Sequence, residues 1–97
     1  RIRYIGVDIS LDLIDLARRR YPQLKFVQGD LRSLDFPDKA FDWVVHRSME
    51  KMIRTNVGDG AWEEIHAELK RVGKNILAIE YPTDFETPLP WSVEECP

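Results

Sequence analysis

The sequence predicts an α/β domain, an open and mostly parallel sheet with flanking helices. Two observations predict it. Short apolar, β-branched segments alternate with helical patterns in the order strand, helix, strand, loop, strand, helix, strand, as in a parallel sheet joined by crossover connections. The strand segments are also nearly continuous in apolar content, as strands buried on both faces are.

Arg3 to Asp8 reads as the first strand, apolar with an acidic end. Ser10 stands where a helix N-cap belongs, with Asp12 in the first turn. Leu13, Ile14 and Ala17 recur at helical spacing, and Leu16 widens the apolar face. Arg18, Arg19 and Arg20 close the last turn, where cations suit the helix dipole, and Pro22 stops it. A charge run of this kind reads as a solvated face.

Leu24 to Gln28 is the second strand, ended by Gly29 and Asp30. A loop from Leu31 to Ala40 carries a turn signal at Pro37-Asp38. Phe41 to Val45 is the third strand, with Trp43 in its core. His46 to Asn56 holds a short helix of poor pattern, broken by Gly58-Asp59-Gly60. Trp62, Ile65, Leu69 and Val72 then form one stripe of a clear helix, capped by Asp59 or Gly60 and ended by Gly73. Asn75 to Glu80 is the fourth strand. The organisation expected is an α/β domain over residues 1–80 and a Pro-rich tail or loop over 81–97, the tail carrying four prolines.

The 97 residues are 43% hydrophobic, with three Trp, three Tyr and four Phe, which excludes a disordered tail. No stretch has the roughly 20 apolar residues of a membrane-spanning helix. A net charge of −3 argues against a nucleic-acid surface over the whole chain. The single cysteine, Cys96, cannot form an internal disulfide, and a reducing, cytoplasmic setting is expected. The first residue is Arg rather than Met, so the chain is expected to be processed or a fragment of something longer.

Ligands of open parallel sheets bind beyond the carboxyl ends of the strands. That rule singles out Asp8, Asp30, His46 and Glu80. A carboxylate at Asp8 can accept from a ribose diol, or it can serve the loop and the helix cap. Asp30 can accept from an exocyclic amine such as that of adenine, or it can be a turn residue. His46 can be a general base, although no nucleophile or acid is assigned to it, or a structural histidine. His66 reads as solvated surface. No residue spacing matches a metal site, and the five glycines form no phosphate-cradling loop.

Tyr4 to Ser10, Phe26 to Leu31 and Leu34 to Val45, taken in order, resemble the middle of a class I S-adenosylmethionine-dependent methyltransferase. Ala61 to Lys74 is similar to the late helix of that family and the turn that follows it. The resemblance covers residues 2–80 and implies a Rossmann-like, truncated methyltransferase-like fold. It implies S-adenosylmethionine as cofactor and methyl transfer to an unidentified acceptor. It also implies roles. Asp8 would bind the ribose hydroxyls and Ile9 would pack on the adenine face. Asp30 would accept from the adenine amino group, and the Leu31 N–H would reach a ring nitrogen. His46 would line the methionine side of the cofactor.

The chain also departs from the family. It begins at what would be the family's second strand, so the Gly-rich cofactor loop is not in it. The Lys-Pro-Gly-Gly turn has become Lys70-Arg71-Val72-Gly73. Arg47 to Gly60, where acceptor choice belongs in the family, carries no recognisable motif. Cofactor binding by these residues alone is therefore expected to be weak and activity absent. The alternative function is a non-catalytic scaffold or dimerisation module, pairing with another copy through an exposed sheet edge. A nicotinamide-dinucleotide domain shares the strand-end acid but requires a G-x-G-x-x-G segment. Trp91, between Pro90 and Ser92, is the one tryptophan placed for a lid or partner contact.

Overall fold

A computed structural model describes residues 3–79 and 91–97. The chain divides into two compact units, Arg1–Asp35 and Phe36–Pro97.

The first unit is a strand, a helix and a strand: β1 (Ile5–Asp8), α1 (Leu11–Arg20) and β2 (Lys25–Gln28). β1 and β2 are parallel, with Ile5 opposite Lys25 and Asp8 opposite Gln28. The helix starts as expected: Ser10 has extended backbone angles, and its Oγ accepts from the Leu13 N–H at 3.3 Å. Arg18 donates to the Phe26 carbonyl at 3.1 Å, so one cation of the presumed solvated run ties α1 to β2. Gly6 is a packing requirement: a Cβ there would lie 2.5 Å from Cδ1 of Phe26. Ile14 is buried, but Leu13 and Leu16 remain 55% and 41% exposed. Two four-residue strands cover only the strip around Ile14, which is narrower than the apolar face of α1.

The second unit holds β3 (Phe41–Arg47), α2 (Met49–Asn56), α3 (Asp59–Val72), β4 (Gly73–Ile79) and β5 (Trp91–Glu95). The sheet order is β3-β4-β5, with β3 parallel and β5 antiparallel to β4. The α3 stripe is the core: Trp62, Ile65, Leu69 and Val72 are buried, together with Ile76 of β4. Gly58 precedes α3 as its N-cap, one residue before the expected cap. Gly73 both ends α3 and begins β4, with no loop between them. A Cβ at Gly73 would lie 2.7 Å from Cγ2 of Val44 and 3.2 Å from the Leu69 carbonyl. A side chain would obstruct so tight an exit.

Three expectations change. Trp43 is not a core residue: it is half-exposed, on the sheet face opposite His46. Strand alternation explains this, because Val44 and His46 take the α3 side and leave Trp43 and Val45 on the other. The end of the Pro-rich tail is not a loop. Trp91–Glu95 lies between two prolines, contains none, and pairs with β4 through Asn75↔Glu95 to Ile79↔Trp91. His66 is not simple surface: its ring stacks on Trp62 at 5.3 Å, and its Nε2 lies 2.8 Å from Oε2 of Glu94. Glu80 lies outside the described residues.

The turn before β3 is held by the end of α3. Lys39 has a φ of 55°; its N–H donates to the Arg71 carbonyl at 2.8 Å. Its Nζ donates to the carbonyls of Lys70 and Gly73 at 2.9 and 3.1 Å. An ammonium thus satisfies helix-terminal acceptors that have no intrahelical partner. Arg71 answers from the helix, reaching Glu68, Asp38 and the Phe36 carbonyl.

Candidate functional site

The carboxyl ends of β1 and β2 form one rim of the first unit, because the strands are parallel and in register. Asp8 ends β1. Its Oδ1 accepts from the Ser10 N–H at 2.8 Å, and its carbonyl accepts from the Gly29 N–H at 3.0 Å. Its Oδ2 has no partner among the described residues. Ile9 follows, 63% exposed. An isoleucine in open solvent beside a half-engaged carboxylate is an apolar surface suited to a flat ring. The Ile9 carbonyl accepts from Nε2 of Gln28 at 3.0 Å, which fixes the loop after β1 to the end of β2. Gln28 carries no local signal of this role, since the contact joins residues 19 positions apart.

Asp30 lies two residues past the Asp8↔Gln28 pair. Its Oδ1 accepts from the Arg32 N–H at 2.9 Å and from Nε at 3.3 Å, and its Oδ2 accepts from Nη2 at 3.3 Å. The backbone N–H of Arg32, and then its guanidinium, hold the Asp30 carboxyl below its usual range. The Ser33 N–H closes the turn on the Asp30 carbonyl at 3.0 Å. Leu31 sits at the turn, and its N–H has no partner among the described residues. The expected donor is therefore present and uncommitted, whereas the expected acceptor beside it is already bonded. Asp30-x-Arg32 is a recognisable pattern for a carboxylate capping its own turn, and sequence reasoning did not use it.

His46 belongs to the second unit. It is 6% exposed, with its ring edge-on to Trp62 at 5.4 Å. Nδ1 is buried without a hydrogen-bond partner. Burial pushes the His46 pKa down, His66 adds to this, and Glu50 and Glu94 oppose it. Burial therefore disfavours the imidazolium, and the ring packs against Trp62. Directly beyond it, Ser48 takes a φ of 52° and donates its N–H to the Ile79 carbonyl. Among the described residues no cluster of three or more His, Cys, Asp or Glu could hold a metal ion.

The family described as a methyltransferase domain matches residues 1–74, most of the chain. The chain belongs to that methyltransferase family. Among curated relatives, a fatty-acid O-methyltransferase of Mycolicibacterium smegmatis is 49% identical over 45 residues, covering 44% of this chain and 16% of that protein. A demethylmenaquinone methyltransferase of Renibacterium salmoninarum is 38% identical over 40 residues, covering 41% and 17%. A crystal structure from Pyrococcus horikoshii OT3 superposes with a TM-score of 0.71 at 28% identity, over 81% of this chain and 39% of that one. An S-adenosylmethionine-dependent methyltransferase structure from Methanosarcina mazei gives 0.67 at 24% identity, over 86% and 44%. The chain thus spans less than half of the structures and about a sixth of the curated relatives it matches. The fold is the Rossmann-like one of these methyltransferases.

Proposed function

We propose that the chain serves S-adenosylmethionine-dependent methyl transfer to an acceptor still to be identified, and that its first unit binds the adenosine part of the cofactor. The observation that carries the reading is the rim of β1 and β2. An open acceptor (Asp8 Oδ2), an exposed apolar side chain (Ile9) and an open donor (the Leu31 N–H) stand on one strand-end edge. These groups fit a nucleoside, with Asp8 accepting from the ribose hydroxyls and Ile9 packing on the base. Asp30 accepts the amino group and Leu31 donates to a ring nitrogen.

When bound, the cofactor supplies a sulfonium methyl for in-line displacement, a reaction governed mainly by proximity and orientation. What the chain contributes is placement. Gln28 fixes the Ile9 backbone, and Ser10 holds the Asp8 carboxylate by one oxygen. His46 is buried in the second unit and has no part in the adenosine site proposed for the first. No helix among the described residues is long and apolar enough to cross a membrane.

The test is titration of S-adenosylhomocysteine into the chain, followed by amide NMR shifts so that weak binding is visible. Shifts at residues 8–10 and 29–32, with affinity falling about 10- to 100-fold in Asp8→Ala, are expected for loss of a charge-assisted hydrogen bond. No shifts at millimolar ligand, or an unaffected Asp8→Ala, would overturn the reading.

A second reading has its own observation. β3 is an edge of its sheet among the described residues, and Trp43 and Val45 on it are 51% and 60% exposed. An unpaired apolar edge supports a scaffold that pairs with another copy. Sedimentation would show a concentration-dependent dimer, lost in Val45→Lys.

A further inference from the structure

We propose that Arg32 tunes specificity at the adenine end of this rim: its guanidinium occupies Asp30 acceptor positions and competes there with a purine amino group. The inference rests on the reading of the rim as an adenosine site. It rests also on three contacts that the reading does not need. Asp30 Oδ1 is committed to the turn through the Arg32 N–H at 2.9 Å. The guanidinium then takes two of the remaining acceptor positions, with Nε on Oδ1 and Nη2 on Oδ2, both at 3.3 Å, and leaves one on Oδ2. The turn bond is local backbone structure and stays when a ligand arrives. The side-chain fork is long, and both partners are about half-exposed at 51% and 43%, so it can be exchanged.

The exchange has a chemical consequence. With Arg32 in place, the position beside the Leu31 N–H presents guanidinium donors as well as a carboxylate acceptor. A 6-amino purine offers a donor there and competes with the guanidinium for the carboxylate. A 6-oxo purine offers an acceptor, which the carboxylate repels and the guanidinium accommodates. Arg32 therefore weakens binding of the amino purine and blunts discrimination against the oxo purine. Without it, Asp30 and Leu31 form a paired acceptor and donor that read the amino purine alone.

The experiment uses adenosine and inosine, which are uncharged, so that ionic strength acts on the protein and not on the ligand. Binding to the wild-type chain, Arg32→Gln and Arg32→Lys is followed by NMR. Arg32→Gln is expected to bind adenosine about two- to fivefold more tightly, the range of an exposed ion pair, and to prefer adenosine over inosine more strongly. Arg32→Lys, which keeps the charge without the fork, should fall between. Wild-type affinity for adenosine should rise between low and moderate salt as the Arg32–Asp30 pair is screened, while Arg32→Gln stays flat. The salt series needs no variant and stands even if Arg32→Gln misfolds. Adenosine binding that depends on Asp8 but is unchanged or weaker in Arg32→Gln, with no rise with salt in wild type, overturns the competition and leaves the adenosine site standing. No adenosine binding to any form overturns both.

Discussion

Replacing Lys39 separates two effects that the structure superimposes on one residue. The ammonium donates to two terminal carbonyls of the α3–β4 junction at 2.9 and 3.1 Å, and the backbone sits at φ 55°. Each bond from an ammonium to a half-buried carbonyl contributes about 1 kcal/mol after allowance for competing water. The charge at the helix C-terminus adds roughly 0.5 kcal/mol. Lys39→Ala should therefore cost about 2–3 kcal/mol, since it loses both bonds and keeps the left-handed backbone. Lys39→Gly loses the same bonds but relieves the φ penalty. Net of the extra freedom glycine gains when unfolded, it should be about 1 kcal/mol more stable than Lys39→Ala.

Urea unfolding followed by tryptophan fluorescence measures this, because Trp43, Trp62 and Trp91 all belong to the second unit. The ordering expected is wild type, then Lys39→Gly, then Lys39→Ala. Lys39→Ala unfolding within about 0.5 kcal/mol of wild type would refute the clamp, that margin being what an ordinary surface substitution costs. Lys39→Gly falling below Lys39→Ala would refute the backbone argument.

Ile76→Ala, at a position 2% exposed beneath α3, should cost about 2–4 kcal/mol in the same assay. Gly73→Ala should cost about 1–3 kcal/mol, because the new Cβ meets Val44 at 2.7 Å where α3 turns straight into β4. The His46 variant is a pH experiment. Burial holds the folded His46 pKa below its ordinary 6.5, so the unfolded chain binds the proton more readily. Stability from this group is complete above pH 6.5 and falls as the pH drops toward the folded value. Urea midpoints at pH 7.5 and 5.5 should differ for wild type and differ less for His46→Phe, which also removes the unpartnered Nδ1. An equally steep variant would refute burial of His46 as the source of the acid sensitivity.

The legible parts of the fold are those written at short range. The Ser10 cap is a four-residue pattern, and the Trp62-Ile65-Leu69-Val72 stripe is a helical period. Both are found where the sequence puts them. The order of parallel strands follows from alternation, and the rule that strand ends carry ligands singles out Asp8 and Asp30, whereas Ile9 and Leu31 enter only through the family resemblance. The illegible parts join residues far apart. Lys39 meets the end of α3 across 31 to 34 positions, and His66 meets Glu94 across 28. Nothing in Lys39-Ala40 or in Glu94-Glu95 announces a distant partner. The exposure of Trp43 is illegible for a related reason. An apolar run shows no alternation, so it does not say which of its residues the single helix α3 covers.

The two rim carboxylates show why local and ligand roles need not compete. A carboxylate has about four acceptor positions. Asp8 uses one, for the Ser10 N–H, so its turn survives with Oδ2 open to a diol. Asp30 uses three, two of them on Arg32 side-chain nitrogens, so a ligand there finds one position left and competes with Arg32 for the others. The amide substitution exposes the difference. Asp8→Asn keeps an oxygen for Ser10 and puts a donor where the second oxygen was, so the fold should hold and nucleoside binding should fall. Asp30→Asn keeps the turn and abolishes the ion pair. Part of its loss in adenine recognition should then be offset by release from Arg32, and Asp30→Asn should weaken binding less than Asp8→Asn. The reverse order would mean that Arg32 does not compete for Asp30.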